Sequence, residues 1–147
     1  MRKSILYVYV FVLGTVGYGL LELMYRGRTH WTMLLFGGAS MLLLYMLYEE
    51  LQPVGRLVRC LTGCIAITVF ECLIGSIVNC RMGMCIWDYS GLPFNVRGQI
   101  CPAFSAMWFA LCFPGDLFCA RIARSLSCWQ SNRGCRLRLL WRSYPDA

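Results

Sequence analysis

The side chains with the greatest chemical potential in this sequence are a carboxylate and an amide at helical spacing inside an apolar segment. Glu71, Gly75 and Asn79 follow one another at intervals of four residues, so a helix places all three on one face. A charged carboxylate in the middle of a membrane-spanning helix costs about 2.5–3.5 kcal/mol on insertion scales, so it faces protein or a wet cavity, or it takes up a proton. We interpret this face as the wall of a functional cavity, and a packing seam between helices is the alternative.

More polar residues are expected to converge on the same end of the molecule. His30 is the single histidine and lies beside Trp31, a pairing that is also typical of an aromatic belt at a membrane surface. Glu22 precedes Arg26 by four residues, so an ordinary ion pair within one helix is an equally good interpretation of it. A convergent polar cluster over apolar helices is typical of a ligand site. The predicted pocket-lining residues are Glu22, His30, Trp31, Glu71, Asn79, Trp87, Asp88, Asn95, Arg97 and Gln99.

This set of residues does not define a reaction mechanism. The sequence shows no nucleophile with a dedicated base and no glycine-rich loop for phosphate. No two of its ten cysteines form a CxxC pair, so neither a metal nor a cofactor is predicted. Most cysteines fall in apolar segments, where a free thiol behaves as a small hydrophobic group. Cys80 and Cys85 could form a disulfide in an oxidising compartment, although free thiols are the favoured interpretation.

The composition indicates that membrane-spanning helices position these residues. Hydrophobic residues make up 59% of the 147-residue chain and charged residues only 14%, against about a quarter charged in soluble domains. Crossing a bilayer takes about 20 helical residues, and the apolar segments lack the alternation of barrel strands. We predict an all-α integral membrane protein, a four-transmembrane-helix bundle within residues 1–120. Its spans cover about 5–25, 31–48, 57–78 and 100–118.

The ends of the chain and the charged residues set the predicted topology. The basic, apolar N-terminal segment is interpreted as an uncleaved first helix and not as a secretory signal, because no small-residue cleavage site follows it. Lysine and arginine concentrate on the side shared by the two termini and the middle loop, so both termini are predicted to be cytoplasmic. Residues 121–147 hold six arginines and are predicted to form a basic amphipathic tail at anionic lipid headgroups, and nucleic acid is not an expected partner. Arginines that only enforce topology are the alternative.

The segment WDYSGLPFNVRGQ, residues 87–99, is polar and rich in turn residues between two apolar spans. Its glycines and proline argue against a continuous helix. Irregular backbone at membrane depth requires protein or water to satisfy its polar groups. We predict an irregular or re-entrant outer loop that covers a pocket, with the face of Glu71, Arg97 and the turn at His30 as partners for its polar side chains.

Three stretches of this sequence resemble one family of small membrane proteins. They are GYGLLELMYRGRTHWTMLLFGG (residues 17–38), FECLIGSIVN (70–79) and WDYSGLPFNVRGQICPAFSAMWF (87–109). The family is described as ABC-transporter type IV, or CmpB-like, and the resemblance covers about residues 14–113. It implies a polytopic helical protein with a transport-related role. Because the sequence has no Walker motif, any ATP-driven role would require a partner subunit.

The predicted function is therefore a transport-related, permease-like subunit with a polar pocket under the 87–99 loop. It would act as a homo-oligomer or with partner transporter subunits, because four helices are few for a complete transporter. Two alternatives remain open. One is an intramembrane enzyme acting on a lipid-type substrate, with Glu22, His30, Glu71 or Asp88 as acid or base. The other is a structural or regulatory membrane protein whose polar residues only lock the helices together.

Overall fold

Four long helices account for most of the structure. It is a computed structural model that describes residues 3–131, with side chains up to residue 124. The helices are α1 (Lys3–Arg26), α2 (Trp31–Glu50), α3 (Arg56–Gly75) and α4 (Pro102–Ser131), and a π-helical turn (Ser76–Arg81) continues α3. The all-α prediction is confirmed for the described residues, and all four helices are long and apolar enough to cross a membrane.

The first turn shows how local sequence ends one helix and begins the next. Gly27 has a φ of +67°, and its amide donates to the Leu23 carbonyl at 2.9 Å, which closes the C-terminus of α1. Glycine adopts this left-handed conformation without the penalty of a Cβ atom. His30 is the N-cap of α2, and its side chain accepts a hydrogen bond from the Thr32 amide.

The helices pack as two antiparallel pairs, α1 with α2 and α3 with α4, joined by a shared core. Close packing of the first pair depends on Gly37 and Gly38, because a Cβ atom at these positions would overlap Tyr18 and Thr15 of α1. This is the run of small residues that the sequence shows at 37–40. The shared core between the pairs is formed by Leu44, Tyr48, Cys60, Ile67, Trp108 and Cys112.

A buried ion pair joins α3 to α4 at the end of the molecule opposite Glu71. The Arg59 side chain donates to both carboxylate oxygens of Asp116, at 2.9 and 3.2 Å, and also to the Val54 carbonyl at 2.7 Å. Arg56 approaches the same carboxylate at 3.3 Å. Asp116 was not among the residues predicted from the sequence, although it shares with Glu71 the signal of an acidic residue inside an apolar span.

One face of α3 is exposed and wholly apolar. Ile65, Val69, Leu73 and Ile77 are each about half exposed or more, at intervals of four residues. Such a stripe faces lipid in a membrane-spanning helix. On the opposite face of the same helix lie the buried Glu71, Gly75 and Asn79.

The structure describes the first part of the predicted basic tail and two exposed cysteines. Residues 121–131 belong to α4, whereas the rest of the predicted basic tail, residues 132–147, lies outside the described residues. Cys80 and Cys85 are exposed, free thiols.

Candidate functional site

The candidate site is centred on the carboxylate of Glu71, which is only 2% exposed. The Tyr89 hydroxyl donates to its Oε1 at 3.1 Å, and the Trp108 indole Nε1–H donates to its Oε2 at 2.9 Å. Within the described part of the chain, no basic side chain comes within ion-pair distance of Glu71. A buried carboxylate is therefore held by two neutral ring donors, one from α4 and one from the loop between α3 and α4.

The chemistry available to this group follows from the two donors. An indole N–H can only donate, so Oε2 must act as an acceptor, whereas a tyrosine hydroxyl can donate or accept. The same two partners can therefore satisfy Glu71 as a carboxylate or with a proton on Oε1. Among the residues described, no second carboxylate and no histidine is hydrogen-bonded to Glu71, and its two partners are the side chains of Tyr89 and Trp108.

Aromatic rings of α1, α2 and α4 pack around the two donors. Tyr18 of α1 stacks with Trp108 at a centroid distance of 5.8 Å, and Phe36 of α2 lies 5.9 Å from the same indole. Tyr89 stacks on Phe104 at 4.3 Å. Burial, together with the neighbouring Glu71 carboxylate, raises the pKa of Tyr89 far above its ordinary value, so its hydroxyl remains protonated. The site thus has low polarity except for the groups bound to Glu71.

The loop between α3 and α4 fills the gap that Gly75 leaves on the Glu71 face. A Cβ atom at Gly75 would overlap the Gln99 side-chain oxygen and press on the Trp87 ring. That oxygen accepts a hydrogen bond from Asn79 Nδ2 at 2.9 Å, and the same amide group donates to the Trp87 carbonyl at 3.0 Å. Asn79 Oδ1 in turn accepts from the Ile86 amide at 2.8 Å. The Glu71, Gly75 and Asn79 face of α3 is therefore packed against the loop, and its interpretation as the wall of a functional cavity stays a prediction.

We predict that Gly75→Ala destabilises the protein by about 1–3 kcal/mol, because the added methyl group overpacks the Gln99 contact. Gly17→Ala in α1 is the matched control, since a Cβ atom there meets nothing within 4 Å. The same exchange at Gly17 is expected to stabilise by roughly 0.5–1 kcal/mol through helix propensity. Thermal unfolding of both variants in one detergent checks the prediction, and equal shifts would contradict it.

Two of the predicted polar residues brace the loop internally. The Asp88 carboxylate accepts from the amide and hydroxyl of Ser90 at 2.8 and 2.9 Å. Asn95 Nδ2 donates to the carbonyls of Ser90 and Leu92, and its Oδ1 accepts from the Gly98 amide. These partners lie within the loop, in place of the Glu71 face, Arg97 or the His30 turn that the sequence favoured for them.

Glu22 connects the end of α1 to the loop. Its carboxylate is 7% exposed, pairs with Arg26 at 3.6 Å and accepts a short hydrogen bond from the Thr29 hydroxyl. Arg26 also donates to the Ile86 carbonyl at 3.4 Å. The ion pair within one helix that the spacing allowed is therefore present, and its cation also holds the loop.

The remaining predicted residues lie at the edge of the site. His30 caps α2 through contacts with Thr32, and Trp31 is 57% exposed. The Arg97 side chain is exposed, and its main-chain carbonyl accepts from Gln99 Nε2 at 3.1 Å. The structure thus brings Glu71, Asn79, Trp87 and Gln99 together, with Glu22 linked through Arg26. His30, Trp31 and the Arg97 side chain stay outside that group.

The direct partners of Glu71 were not among the residues predicted from the sequence. Tyr89 and Trp108 lie 18 and 37 residues away along the chain, and aromatic residues are common throughout these spans. One signal was available for Tyr89, which lies between Asp88 and Ser90 in the polar segment 87–99. No comparable signal distinguishes Trp108 from the other tryptophans.

Comparison with known proteins supports the resemblance read from the sequence. The family model described as "Putative ABC-transporter type IV" matches residues 22–132, which include the C-terminal end of α1, all of α2, α3 and α4, and the loop between α3 and α4. No curated protein and no solved structure gives a significant match. The four membrane-length helices and the family both fit an integral membrane protein with a transport-related role. Because the match extends over most of its length, the chain belongs to the ABC-transporter type IV family.

Proposed function

We propose that this protein is a permease-like subunit of a membrane transport system, in which the loop between α3 and α4 is a re-entrant cap over a polar site at Glu71. The observation that carries the proposal is the buried Glu71 carboxylate, held by Tyr89 of the loop and Trp108 of α4 without a basic partner among the described residues. A buried acidic group inside a membrane-spanning segment is costly, so its presence supports a functional role.

The depth of the contact supports a cap. Glu71 lies ten residues before the end of the α3 extension at Arg81, which is roughly 15 Å along a helix. Tyr89 nevertheless reaches it from the loop. Irregular backbone this far along the helices requires satisfied polar groups, and the Asn79, Trp87 and Gln99 hydrogen bonds satisfy them.

The partners in this proposal follow from the family and from the size of the chain. The sequence shows no Walker motif, so we propose that any ATP hydrolysis is supplied by a partner subunit. Four helices would form the transport path by association, either with a second copy or with other transporter subunits. The proposed orientation places both termini in the cytoplasm, with the arginine-rich tail at anionic lipid headgroups.

The test is native mass spectrometry of the protein released gently from its own membranes. We expect a co-purifying small molecule in the unmodified protein and an affinity for it that is lower by roughly 10- to 150-fold in Glu71→Gln. This is the loss expected for one hydrogen bond to a charged group, about 1.5–3 kcal/mol. Glu49→Gln is the matched control, because Glu49 is an exposed glutamate at the end of α2.

Retention of the molecule in Glu71→Gln, or a folded protein that carries none, would favour the structural alternative. A specific observation supports that alternative as the second candidate. The Asn79, Gln99 and Trp87 contacts are fully hydrogen-bonded within the protein and would lock the loop to α3 without any ligand.

A further inference from the structure

The loop between α3 and α4 has a buried stem, which includes Trp87, Tyr89 and Gln99, and an exposed, apolar tip, residues 92–97. Trp87, Tyr89 and Gln99 of the stem are each less than 10% exposed. Between them, three apolar side chains of the tip point away from the protein: Leu92 is 37% exposed, Val96 is 51% exposed and Phe94 is 87% exposed. Phe94 is the most exposed large hydrophobic residue of the described chain.

The tip is held in a defined conformation. Asn95 ties it to the Ser90 and Leu92 carbonyls at 3.1 and 2.8 Å, and the Val96 amide donates to the Ile100 carbonyl at 2.9 Å. Phe94 has a φ of +56°, a left-handed conformation that is uncommon for a bulky side chain. Such backbone strain persists only where the surrounding structure enforces it, and it concentrates at functional positions. The protein therefore presents the Phe94 ring on a preorganised support.

The position of the tip indicates what surrounds it. The loop leaves the membrane-length helices at Arg81 and returns at Pro102, so it begins and ends at one end of the spans. At that same end, Tyr25 closes α1 and Trp31 opens α2, with exposures of 72% and 57%. Exposed aromatic residues at the ends of spans mark the membrane interface.

The charges of this end match a phospholipid surface. Arg28, Arg81 and Arg97 are all exposed here. The one acidic side chain of the loop, Asp88, is occupied by hydrogen bonds to Ser90. Cationic side chains beside exposed apolar groups are the combination that binds headgroup phosphates and the first carbons of the acyl chains together.

We propose that residues 92–97 form an interfacial anchor, in which Leu92, Phe94 and Val96 enter the lipid interface while Arg97 binds headgroup phosphates. The anchor binds the exposed side of the loop to the membrane surface. Tyr89 and Gln99 bind the buried side of the loop to α3. This assignment is independent of the proposed transport role, because it concerns only the surface of the loop.

The first test places the photoreactive residue p-benzoylphenylalanine at position 94 of the full-length protein in its native membranes. Because Phe94 is 87% exposed, the variant is expected to fold. We expect phospholipid adducts by mass spectrometry, and few at the control position Tyr89, whose ring is buried. Crosslinks from position 94 to another polypeptide would overturn the proposal in favour of a protein partner, and a lack of lipid adducts would overturn it as well.

A second measurement uses Phe94→Trp in phosphatidylcholine vesicles with and without phosphatidylglycerol. The added fluorescence, relative to the unmodified protein, is expected to be quenched more strongly by bromine near the headgroup than by bromine at the acyl chain end. Adding Arg97→Gln should weaken this quenching more in the vesicles that contain phosphatidylglycerol, whose phosphate charge is not compensated by a choline group, which separates the charge contribution of Arg97 from apolar insertion. An added signal that responds to aqueous iodide and not to brominated lipid would overturn the proposal.

Discussion

Asp116→Leu is expected to destabilise the protein by about 3–5 kcal/mol, the range for removing one partner of a buried ion pair. Asp116 is 3% exposed and Arg59 4%, and the leucine would remove the carboxylate that accepts two hydrogen bonds from the guanidinium. Reversible unfolding by denaturant in a fixed detergent measures the effect.

Two further variants separate the buried pair from its exposed neighbour. The double variant Arg59→Met with Asp116→Leu is expected to recover most of the lost stability, because replacing a whole buried pair with apolar groups is often neutral. Arg56→Gln is expected to cost less than about 1 kcal/mol, since the Arg56 side chain is 38% exposed to solvent screening. A single Asp116→Leu variant as stable as the unmodified protein would contradict a stabilising role for this buried pair.

Glu71→Leu is expected to cost about 1–3 kcal/mol for each of the two donors that it leaves unpaired. The leucine cannot accept from the Trp108 indole or from the Tyr89 hydroxyl, and both atoms are buried at this position. Glu71→Gln should cost much less, because its amide oxygen can accept from Trp108 and its amino group can donate to Tyr89. Unfolding measurements on both variants, with indole fluorescence as the local signal, check the prediction.

This pair of variants distinguishes hydrogen bonding from charge. If glutamine and leucine were equally destabilising, then the negative charge and not the hydrogen bonds would stabilise the site, and a cation near Glu71 would have to be sought. Tyr89→Phe is the matched single deletion, because it removes only the hydroxyl that reaches Glu71 from the loop.

The helices and the polar face of α3 were predictable because they depend on local sequence. The lengths of the apolar segments predicted the four spans. The spacing of four residues predicted that Glu71, Gly75 and Asn79 share one face of a helix. What fills the space over Gly75 was not predictable, since Gln99 lies 20 residues from Asn79 and reaches it only after the loop folds back. The ion pair between Arg59 and Asp116 was not predicted for the same reason, because the two residues are 57 positions apart in the sequence.

Polar residues in the loop show a second limit of sequence reasoning. Asp88, Asn95 and His30 have the side chains of a binding site, but short side chains with hydrogen-bonding groups also brace turns and cap helices. The structure shows that these three serve such local roles. Only the contacts of the folded loop separate them from Trp87 and Gln99, which reach across to α3.

The order of the contacts along the chain also affects how the protein enters the membrane. During synthesis α3 emerges before both of the groups that satisfy Glu71, because Tyr89 follows by 18 residues and Trp108 by 37. The insertion machinery therefore receives α3 with an unsatisfied carboxyl group, at a cost of about 2.5–3.5 kcal/mol near the bilayer centre. Apolar residues on the opposite face favour insertion by about 0.3–0.6 kcal/mol each and offset part of this cost. They are Ile65, Val69, Leu73 and Ile77, so the apolar stripe that is exposed in the folded chain also favours insertion of α3 before Tyr89 and Trp108 have been synthesised.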